Sequence, residues 1–442
     1  MKKKVLILAY DFPPYVSVGA LRPWSWYEHL LEYGIEPIVV TRQWSNENGS
    51  SIDYVSPSLT TKTIIEKTVL GTIIKTAYFP NFSNQLMLKY GESRFGIVRK
   101  IISAFYDIGQ FIFPIGTKRE LYLEAKKVLK ETKVDAIIAS GEPFVLFKYA
   151  SKLSRHYSTP WIADYRDPWT QDKSRGDNKL RETWDSYIEN KYLSNVQAIT
   201  TVDLLFKNKI ASLIKNKTIH ILPNGYNSTL IKKIANIEQT NEKLSIAFVG
   251  TIYKWHPVES FLNEALKFVN KKPGIRLQIN FYGINNELEI KEMLSSKYQA
   301  LIPFVKIHPK LPNQVLLEKM AKNNLLLLFN YYSYMGTKIY DYLALKRKII
   351  LCYSNDLQAK KIKEKYYNMD ELGSNKKNLQ EDIIKETNSG IVVTDSVHLA
   401  LVLEDCYTEF IEKGSIACSS INIERFSRKI QVEKLATLIK SI

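Results

Sequence analysis

Short apolar runs rich in β-branched residues recur along the first half of the chain. They are VLILA, PIVVT, DAIIA, WIADY, AITTV and TIHIL. Helical patterns lie between several of them, over 20–33, 143–157 and 177–193. A short apolar run followed by a helix is typical of βα units around a buried parallel sheet. The first half therefore predicts one doubly wound α/β domain.

The same pattern restarts in the second half of the chain. Six more predicted strands are LSIAFVG, RLQINFYG, FVKIHP, NLLLLFN, KIILCY and GIVVT. The polar, Asn-rich stretch NGYNSTLIKKIANIEQTNEKL separates the two series. A chain of 442 residues is also too long for one ordinary hydrophobic core. We predict two Rossmann-like domains, 1–228 and 229–424, followed by an amphipathic helix over 425–442 with apolar positions at Ile430, Leu435 and Leu438.

Two doubly wound domains in series are expected to place the carboxyl ends of both sheets on a shared crevice. Ligands of such folds bind outside those strand ends. Each functional residue is therefore expected just after a strand, and this expectation guides the search for sites below.

The composition narrows the class of partner. With 45% hydrophobic and 24% charged residues, the chain is a folded globular protein. A net charge of +17 indicates an anionic partner, which is nucleic acid, an acidic membrane face or a phosphorylated substrate. No helix-turn-helix spacing, zinc-ligand set or RNP-type strand supports nucleic acid. Lysines interleaved with aromatic residues over 78–122 favour an anionic lipid surface, with a merely solvated basic surface as the alternative.

The cysteines and the amino-terminal segment indicate a cytoplasmic protein. Cys352, Cys406 and Cys418 are odd in number and lack metal-type spacing, which suits a reducing compartment. The apolar run after the first lysines is short, so it predicts a first strand rather than a signal peptide. No apolar segment reaches the ~18 residues that a membrane span needs.

Two loops that follow predicted strands carry candidate phosphate contacts. Gly19 begins a helix after the first strand, with Arg22 behind it, and a helix start offers free N–H groups to an anion. In the second half, Gly250 and Thr251 follow a strand and Lys254 comes shortly after them. A lysine at such a turn can neutralise a diphosphate. An ordinary turn glycine is the alternative for Gly19.

The stretch GTKIYDYLALKRKIIL carries a fuller set of candidates. Gly336 and Thr337 open a helix whose first turn holds Lys338, and Asp341 lies three residues later on nearly the same face. Exposed amides with a lysine suit phosphates, and a carboxylate one turn deeper suits the hydroxyls of a ribose. The alternative is a Lys–Asp pair on a helix surface.

The stretch PWIADYRDPW places charged residues at the end of a buried strand. Asp164, Arg166 and Asp167 are expected on a polar wall, and Ser140 and Glu142 of the SGEP stretch are expected to line the same wall. The alternative is a self-satisfied ion pair that shapes a loop.

Together these segments resemble the family 4-like glycosyltransferases with the GT-B fold, in a branch common in bacterial surface-polysaccharide synthesis. The segments that carry the resemblance are FPPYVSVGALR, IIASGEPFVLFKYASKLS, PWIADYRDPW, ITTVDLLFKNKI with ILPNGYN, FVGTIYKWHP and GTKIYDYLALKRKIIL. They span nearly the whole chain. The resemblance implies an α/β fold of two Rossmann-like parallel-sheet domains that face each other across a cleft.

The resemblance also implies a reaction. A UDP- or GDP-sugar donor would be held by the C-terminal domain, and a saccharide or lipid-linked acceptor by the N-terminal domain. Transfer would retain the anomeric configuration without a cofactor or metal. From the charge and the aromatic content of the chain, we expect it to take place at the inner face of the cytoplasmic membrane. The last helix would cross back to the N-terminal domain.

The resemblance assigns roles to the candidate residues. Gly19, Gly250, Lys254 and Lys338 look like diphosphate contacts, with Gly336 and Thr337 supplying amides and Asp341 the ribose ligand. Asp164, Asp167 and Arg166 look like the polar wall near the reacting sugar, and we treat them as catalytic candidates. Arg22, Ser140 and Glu142 fall on the acceptor side.

Two departures from the family pattern keep alternatives open. Ser333 stands where many members have the first of two glutamates, and His256 stands where a basic residue is usual. Two alternatives are therefore a non-catalytic, glycosyltransferase-like scaffold and a nucleotide-sugar epimerase of the same fold. The absence of any Asp-x-Asp sequence argues against the metal site of the other main transferase fold.

Overall fold

The protein was analysed as a computed structural model that describes residues 2–15, 17–44, 51–171, 179–332, 334–358, 360–361 and 378–442. Contacts within the chain divide it into two compact units. The first unit comprises Met1–Pro223 with Arg428–Ile442, and the second comprises Asn224–Ser427. Ser333, which the sequence analysis names as a departure from the family pattern, lies outside the described residues.

The first unit is built on an eight-stranded sheet. Its strands are β1 (Lys3–Leu8), β2 (Ile35–Arg42), β3 (Ile64–Lys67), β4 (Thr72–Thr76), β5 (Ala136–Gly141), β6 (Trp161–Tyr165), β7 (Ala198–Thr201) and β8 (Ile219–Ile221). Their order in the sheet is β3-β4-β2-β1-β5-β6-β7-β8. The pairs are parallel except for β3 with β4, which is antiparallel. The strand order reverses between β1 and β5, and this reversal is where ligands of such sheets bind.

Helices connect the strands of the first unit. They are α1 (Val18–His29), α2 (Ser51–Val55), α3 (Phe82–Tyr90), α4 (Gly96–Ile112), α5 (Arg119–Glu131), α6 (Val145–Tyr157), α7 (Lys179–Leu193) and α8 (Leu204–Leu213), and a 3-10 turn, Leu30–Tyr33, extends α1. The six strands predicted for this half are present. The sequence did not predict β3 and β4, because β3 is a largely exposed edge strand that lacks a continuous apolar run.

The second unit holds a six-stranded parallel sheet. Its strands are β9 (Leu244–Val249), β10 (Leu277–Tyr282), β11 (Val305–His308), β12 (Leu325–Phe329), β13 (Lys348–Cys352) and β14 (Gly390–Val393). The order β11-β10-β9-β12-β13-β14 is that of a doubly wound dinucleotide-binding sheet, with its reversal between β9 and β12. All six predicted strands are present, which confirms the predicted fold class.

The helices of the second unit follow the same alternation. They are α9 (Ser228–Ile234), α10 (Val258–Lys271), α11 (Glu287–Ser296), α12 (Asn313–Ala321), α13 (Lys338–Leu345), α14 (Leu379–Thr387) and α15 (Ser396–Lys413), with 3-10 turns at Gln299–Phe304 and Ile423–Phe426. Strands such as LLLLF in β12 are buried at every position. Burial on both faces explains why they read as continuous apolar runs.

The last helix, α16 (Arg428–Ser441), packs on the first unit. Its buried residues Val432, Leu435 and Ile439 join the core that Trp26 and Leu30 form. Burial at intervals of three and four residues along one face is what an amphipathic helix requires. No helix among the described residues is both long and apolar enough to cross a bilayer.

Candidate functional site

The structure brings three predicted phosphate contacts together at the strand-order reversal of the second unit. Gly250 and Thr251 follow β9, and Lys338 begins α13 after the loop that leaves β12. The Lys338 Nζ atom donates to the Thr251 carbonyl at 3.1 Å. It also lies 4.7 Å from the centre of the Phe248 ring. These contacts fold the lysine back over the end of β9.

Gly250 is required by this arrangement. Its φ is 77°, a conformation that side chains rarely adopt, and a Cβ there would lie 3.1 Å from the Lys338 Cε atom. The Gly250 amide donates to the Tyr282 carbonyl at 2.8 Å, which fixes the turn. The absence of a side chain therefore leaves room for Lys338 beside the turn.

Lys338 is an unusual cation. Burial lowers its pKa from the ordinary value near 10.5 to about 7. A lysine with this pKa is only partly protonated near neutral pH, and a bound anion would raise the protonated fraction because opposite charges favour the charged form. The charge of Lys338 is therefore expected to depend on the pH and on any anion bound beside it.

Helix α13 is held against β9 by a hydrogen bond. The Val249 amide donates to the Tyr342 hydroxyl oxygen at 3.2 Å. Gly336 has a φ of 68°, Thr337 is the residue that precedes the helix, and Asp341 lies in its first turn, partly buried. The amides at the start of α13 and the Asp341 carboxylate thus stand on one short segment with Lys338.

Aromatic side chains that the sequence analysis did not select border this site. Tyr253 stacks on Trp255 with ring centres 4.5 Å apart, and Tyr331 packs edge-on to Tyr253 at 5.7 Å. A Cβ at Gly336 would be 4.0 Å from the Tyr331 ring. Tyr253 and Tyr331 are both partly exposed, so a planar base could stack there. Both tyrosines follow strand ends, after β9 and β12, which is where the sequence predicts functional residues.

The loop after Gly250 holds Lys254, which was predicted to contact a diphosphate, and the buried residue His256. Asn285 pins the loop, because the Ile252 amide donates to the Asn285 Oδ1 atom at 2.7 Å and Asn285 donates back to the Ile252 carbonyl at 3.2 Å. His256 is buried and its Nδ1 atom accepts from the Tyr253 amide. Lys254 lies on the exposed part of the loop. The Lys338 Nζ atom, by contrast, lies 3.3 Å from where a Cβ at Gly250 would stand.

In the first unit, Asp164 belongs to a buried network. The Arg22 guanidinium donates to the Asp164 carboxylate through Nε at 2.9 Å and Nη2 at 2.7 Å. Thr200 donates to the same carboxylate at 2.7 Å and Ser140 at 3.2 Å, while Arg22 also donates to the Leu222 carbonyl at 2.6 Å. Asp164 has no exposed surface and Arg22 is 6% exposed. Asp164, Arg22 and Ser140 therefore lie in the interior of the unit, not on an accessible wall.

Arg166 instead joins the loops that follow β1, β5 and β6. It donates to the carbonyls of Gly141 and Glu142 and pairs with the Asp11 carboxylate at 3.4 Å. These loops flank the reversal between β1 and β5. Both side chains of the pair are about one-seventh exposed, at 14% and 15%. Asp167 and Glu142 are exposed beside this pair.

Asp11 is a functional candidate that the sequence analysis missed. Burial raises the pKa of its carboxyl, while Arg166 and a hydrogen bond from Ser17 oppose that rise. The Ser17 hydroxyl donates to Asp11 at 3.2 Å and caps α1 by accepting from the Ala20 amide. The residue follows β1, so the rule that sites lie after strands would have selected it.

Gly19 makes a close approach to this pair. A Cβ at Gly19 would stand 1.6 Å from an Arg166 nitrogen and 2.6 Å from an Asp11 oxygen. We therefore expect Gly19→Ala to push Arg166 out of its hydrogen bonds and to cost about 1–3 kcal/mol of stability. Urea denaturation of the variant measures this loss, with Gly96→Ala as the comparison, because Gly96 also lies near the start of a helix, has open space around it and has no left-handed φ. A Gly19→Ala protein as stable as the wild type would contradict the contact.

Among the described residues, no group of three or more His, Cys, Asp and Glu side chains is placed to hold a metal ion. The side-chain cations next to the candidate sites include Lys338, Arg22 and Arg166.

The architecture of the chain is similar to that of several solved structures. The chain superposes on sucrose-phosphate synthase from Thermosynechococcus elongatus with a TM-score of 0.59 at 14% identity, covering 99% of this chain and 98% of that one. The fold is that of the GT-B glycosyltransferases. An α,α-trehalose-phosphate synthase (UDP-forming) from Burkholderia vietnamiensis gives 0.54 at 8% identity, and Anabaena HepE in complex with UDP and glucose gives 0.54 at 10%. Both cover 100% of each chain.

Neither protein-family models nor curated protein sequences match the chain. At these identities the GT-B likeness describes the fold, and the activity has to be argued from the site itself.

Proposed function

We propose that the protein is a retaining glycosyltransferase that moves a sugar from a nucleotide-diphosphate sugar to a saccharide or lipid-linked saccharide. The observation that carries this proposal is Lys338, held over Gly250 and Thr251 at the strand-order reversal of the second sheet. Sheets of this order bind nucleotides at that position. The donor would be a UDP-sugar or a GDP-sugar.

The chemistry needs positive charge where the diphosphate leaves. As the bond from the anomeric carbon to the phosphate oxygen breaks, negative charge grows on that oxygen, and fixed cations and amides stabilise it. Lys338 and the amides at Gly336 and Thr337 supply that stabilisation, while Asp341 accepts hydrogen bonds from the ribose hydroxyls. No metal ion or cofactor is part of the proposed mechanism.

Solved relatives of the fold support the donor class. The trehalose-phosphate synthase is UDP-forming, and HepE was crystallised with UDP and glucose. Two proteins that share the architecture thus handle uridine nucleotides, which favours UDP over GDP for this chain. The likeness of the sequence motifs to polysaccharide enzymes favours a role in making a bacterial surface polysaccharide such as capsule or lipopolysaccharide.

On the acceptor side, we assign the accessible roles to Asp11, Arg166 and Asp167. Asp11 and Arg166 form a partly exposed pair after β1 and β6, and a raised carboxyl pKa suits a group that exchanges protons with a hydroxyl. Asp164 and Arg22 are positioning residues, because their buried network fixes the strand ends that carry the loops. The leaving phosphate can itself accept the proton of the incoming hydroxyl.

The first experiment compares melting temperatures in UDP, GDP, ADP and CMP. A ligand that binds only the folded protein stabilises it in proportion to the logarithm of its concentration over its dissociation constant. We expect a shift with one diphosphate that is lost in Asp341→Ala. No shift with any nucleotide would favour the scaffold, and conversion of a UDP-sugar to an isomer without acceptor would favour the epimerase.

The pKa of Lys338 predicts how nucleotide binding depends on pH. A diphosphate binds the protonated lysine, and the free protein loses that proton as the pH rises through about 7. We therefore expect the affinity for UDP to fall by up to about tenfold per pH unit above 7, until the pKa of the bound lysine is passed. Titration calorimetry between pH 7 and 9 measures this slope, and an affinity that stays constant over that range would contradict it.

A further inference from the structure

Helices α3 and α4 form a pair whose apolar side chains face outward. Along α4, five large side chains are strongly exposed: Ile97 (78%), Ile101 (66%), Phe105 (60%), Ile108 (43%) and Ile112 (52%). Their spacing of four, four, three and four residues puts them on one face of the helix. A continuous exposed apolar stripe of this length marks a surface that binds a partner.

The contacts between the two helices include polar ones. The Ser83 hydroxyl pairs with the Ser103 hydroxyl at 2.9 Å and also bonds the Arg99 carbonyl at 3.1 Å. Arg99 in turn donates to the Glu92 carbonyl at 2.7 Å. Helix α3 buries Ser83 and Met87, and α4 buries Gly109 and Phe111, whereas the large apolar residues of the stripe stay exposed. The pair is therefore built for an apolar medium on its outer side.

The helix that carries the stripe is anchored to the first unit by specific contacts. At the carboxyl end of α4, the Phe111 ring stacks on Trp169 with centres 5.2 Å apart, and the Tyr192 hydroxyl donates to the Phe111 carbonyl at 3.1 Å. Lys148 donates to the carbonyls of Gln110 and Phe113. The buried face of α4 is thus satisfied by the first unit, and the outward face is presented by it.

Charges around the stripe indicate what covers it. Within residues 82–113 the basic side chains are Lys89, Arg94, Arg99 and Lys100, against Glu92 and Asp107. The exposed aromatic residues that flank the stripe are Phe79, Phe82, Tyr90, Phe95 and Phe113. Apolar residues rimmed by aromatic rings and a basic excess match the interface of an anionic bilayer, in which rings sit at headgroup depth and lysines reach the phosphates.

The spacing argues against a second copy of the chain as the occupant. A coiled-coil seam alternates steps of three and four residues over at least three to four heptads. The stripe on α4 runs four, four, three, four within a helix of 17 residues. We propose that α3 and α4 dock the protein on an anionic lipid surface, with α4 lying in the plane of the interface.

This inference goes beyond the proposed activity, and it is tested without donor or acceptor. Vesicles of phosphatidylcholine with phosphatidylglycerol are sedimented with the full chain at low salt, alongside vesicles of phosphatidylcholine alone. We expect binding to the anionic vesicles and weaker binding as salt is added. The double variant Ile101→Ser with Phe105→Ser is expected to bind at least about tenfold more weakly, because it removes apolar area that the bilayer covers.

The second unit offers a matched control. Val397 and Leu401 are also exposed at 73% and 62% and stand four residues apart on α15, so Val397→Ser with Leu401→Ser removes similar surface elsewhere. This control should bind vesicles as the wild type does, and both double variants should keep the wild-type melting temperature. In Phe105→Trp, vesicles should shift the indole emission to the blue.

Three results would overturn the inference. The first is no sedimentation with anionic vesicles, and the second is wild-type vesicle binding by the double variant of Ile101 and Phe105. The third is a wild-type protein that is dimeric without lipid and becomes monomeric in this double variant. Nucleotide binding in the melting experiment does not depend on any of them, so failure of membrane docking and failure of the proposed activity are distinguishable.

Discussion

Replacing Lys338 by Met is expected to lower turnover of the nucleotide sugar by about 10²–10³-fold while making the free protein more stable. Turnover falls because the leaving diphosphate loses the cation that stands over Gly250 and Thr251. Stability rises because a lysine whose pKa burial has lowered to about 7 is replaced by an apolar chain of similar length. Initial rates with the diphosphate sugar and melting curves without ligand measure the two effects.

A loss of turnover together with a gain in stability distinguishes a lysine that binds the diphosphate from one with a purely structural role. A lysine that served only to pack the end of β9 would lose stability and activity together when replaced. Lys271→Met, at an exposed position in the last turn of α10, is the matched control and should leave both properties unchanged. A Lys338→Met protein with wild-type turnover would remove the lysine from the proposed mechanism.

Replacing Asp164 by Ala is expected to destabilise the first unit by about 3–5 kcal/mol. The variant would leave the Arg22 guanidinium buried at 6% exposure without its carboxylate, and a buried charge deprived of its partner is costly. Urea denaturation followed by circular dichroism measures the loss. Glu131→Ala, at the exposed last residue of α5, should change stability by less than about 0.5 kcal/mol.

A double variant tests the physical cause. Arg22→Met with Asp164→Leu removes both charges, so it should recover part of the stability that Asp164→Ala loses. An Asp164→Ala protein that unfolds like the wild type but turns over no substrate would contradict the positioning role and return Asp164 to the catalytic candidates.

The sequence predicted the sheets well because buried parallel strands have a clear pattern. Runs such as VLILA and LLLLF are apolar throughout, since helices cover both faces of each sheet. The pair β3 and β4 lacked that pattern, because β3 is mostly exposed at the sheet edge. The apolar pattern therefore predicts strands that are buried on both faces. It does not predict β3 and β4, which form an antiparallel pair at the sheet edge.

The candidate site was predicted unevenly for a related reason. The spacing of Gly336, Lys338 and Asp341 is local to one helix start, so the sequence shows it directly. The pairing of Arg22 with Asp164 joins residues 142 positions apart, and no local pattern indicates it. Asp11 could have been selected because it follows β1, but its pairing with Arg166, 155 positions away, could not be predicted from the sequence.

One measurement tests the central claim most directly. It is the number of protons taken up when UDP binds at pH 8, obtained by titration calorimetry in two buffers of different ionisation enthalpy. Because Lys338 has a pKa of about 7, it is about nine-tenths deprotonated at pH 8 when free, and binding should draw close to one proton from the buffer. The same titration of Lys338→Met should show weak binding and no uptake. Tight UDP binding by the wild type with no proton uptake, or equal binding by the variant, would contradict a diphosphate site at Lys338.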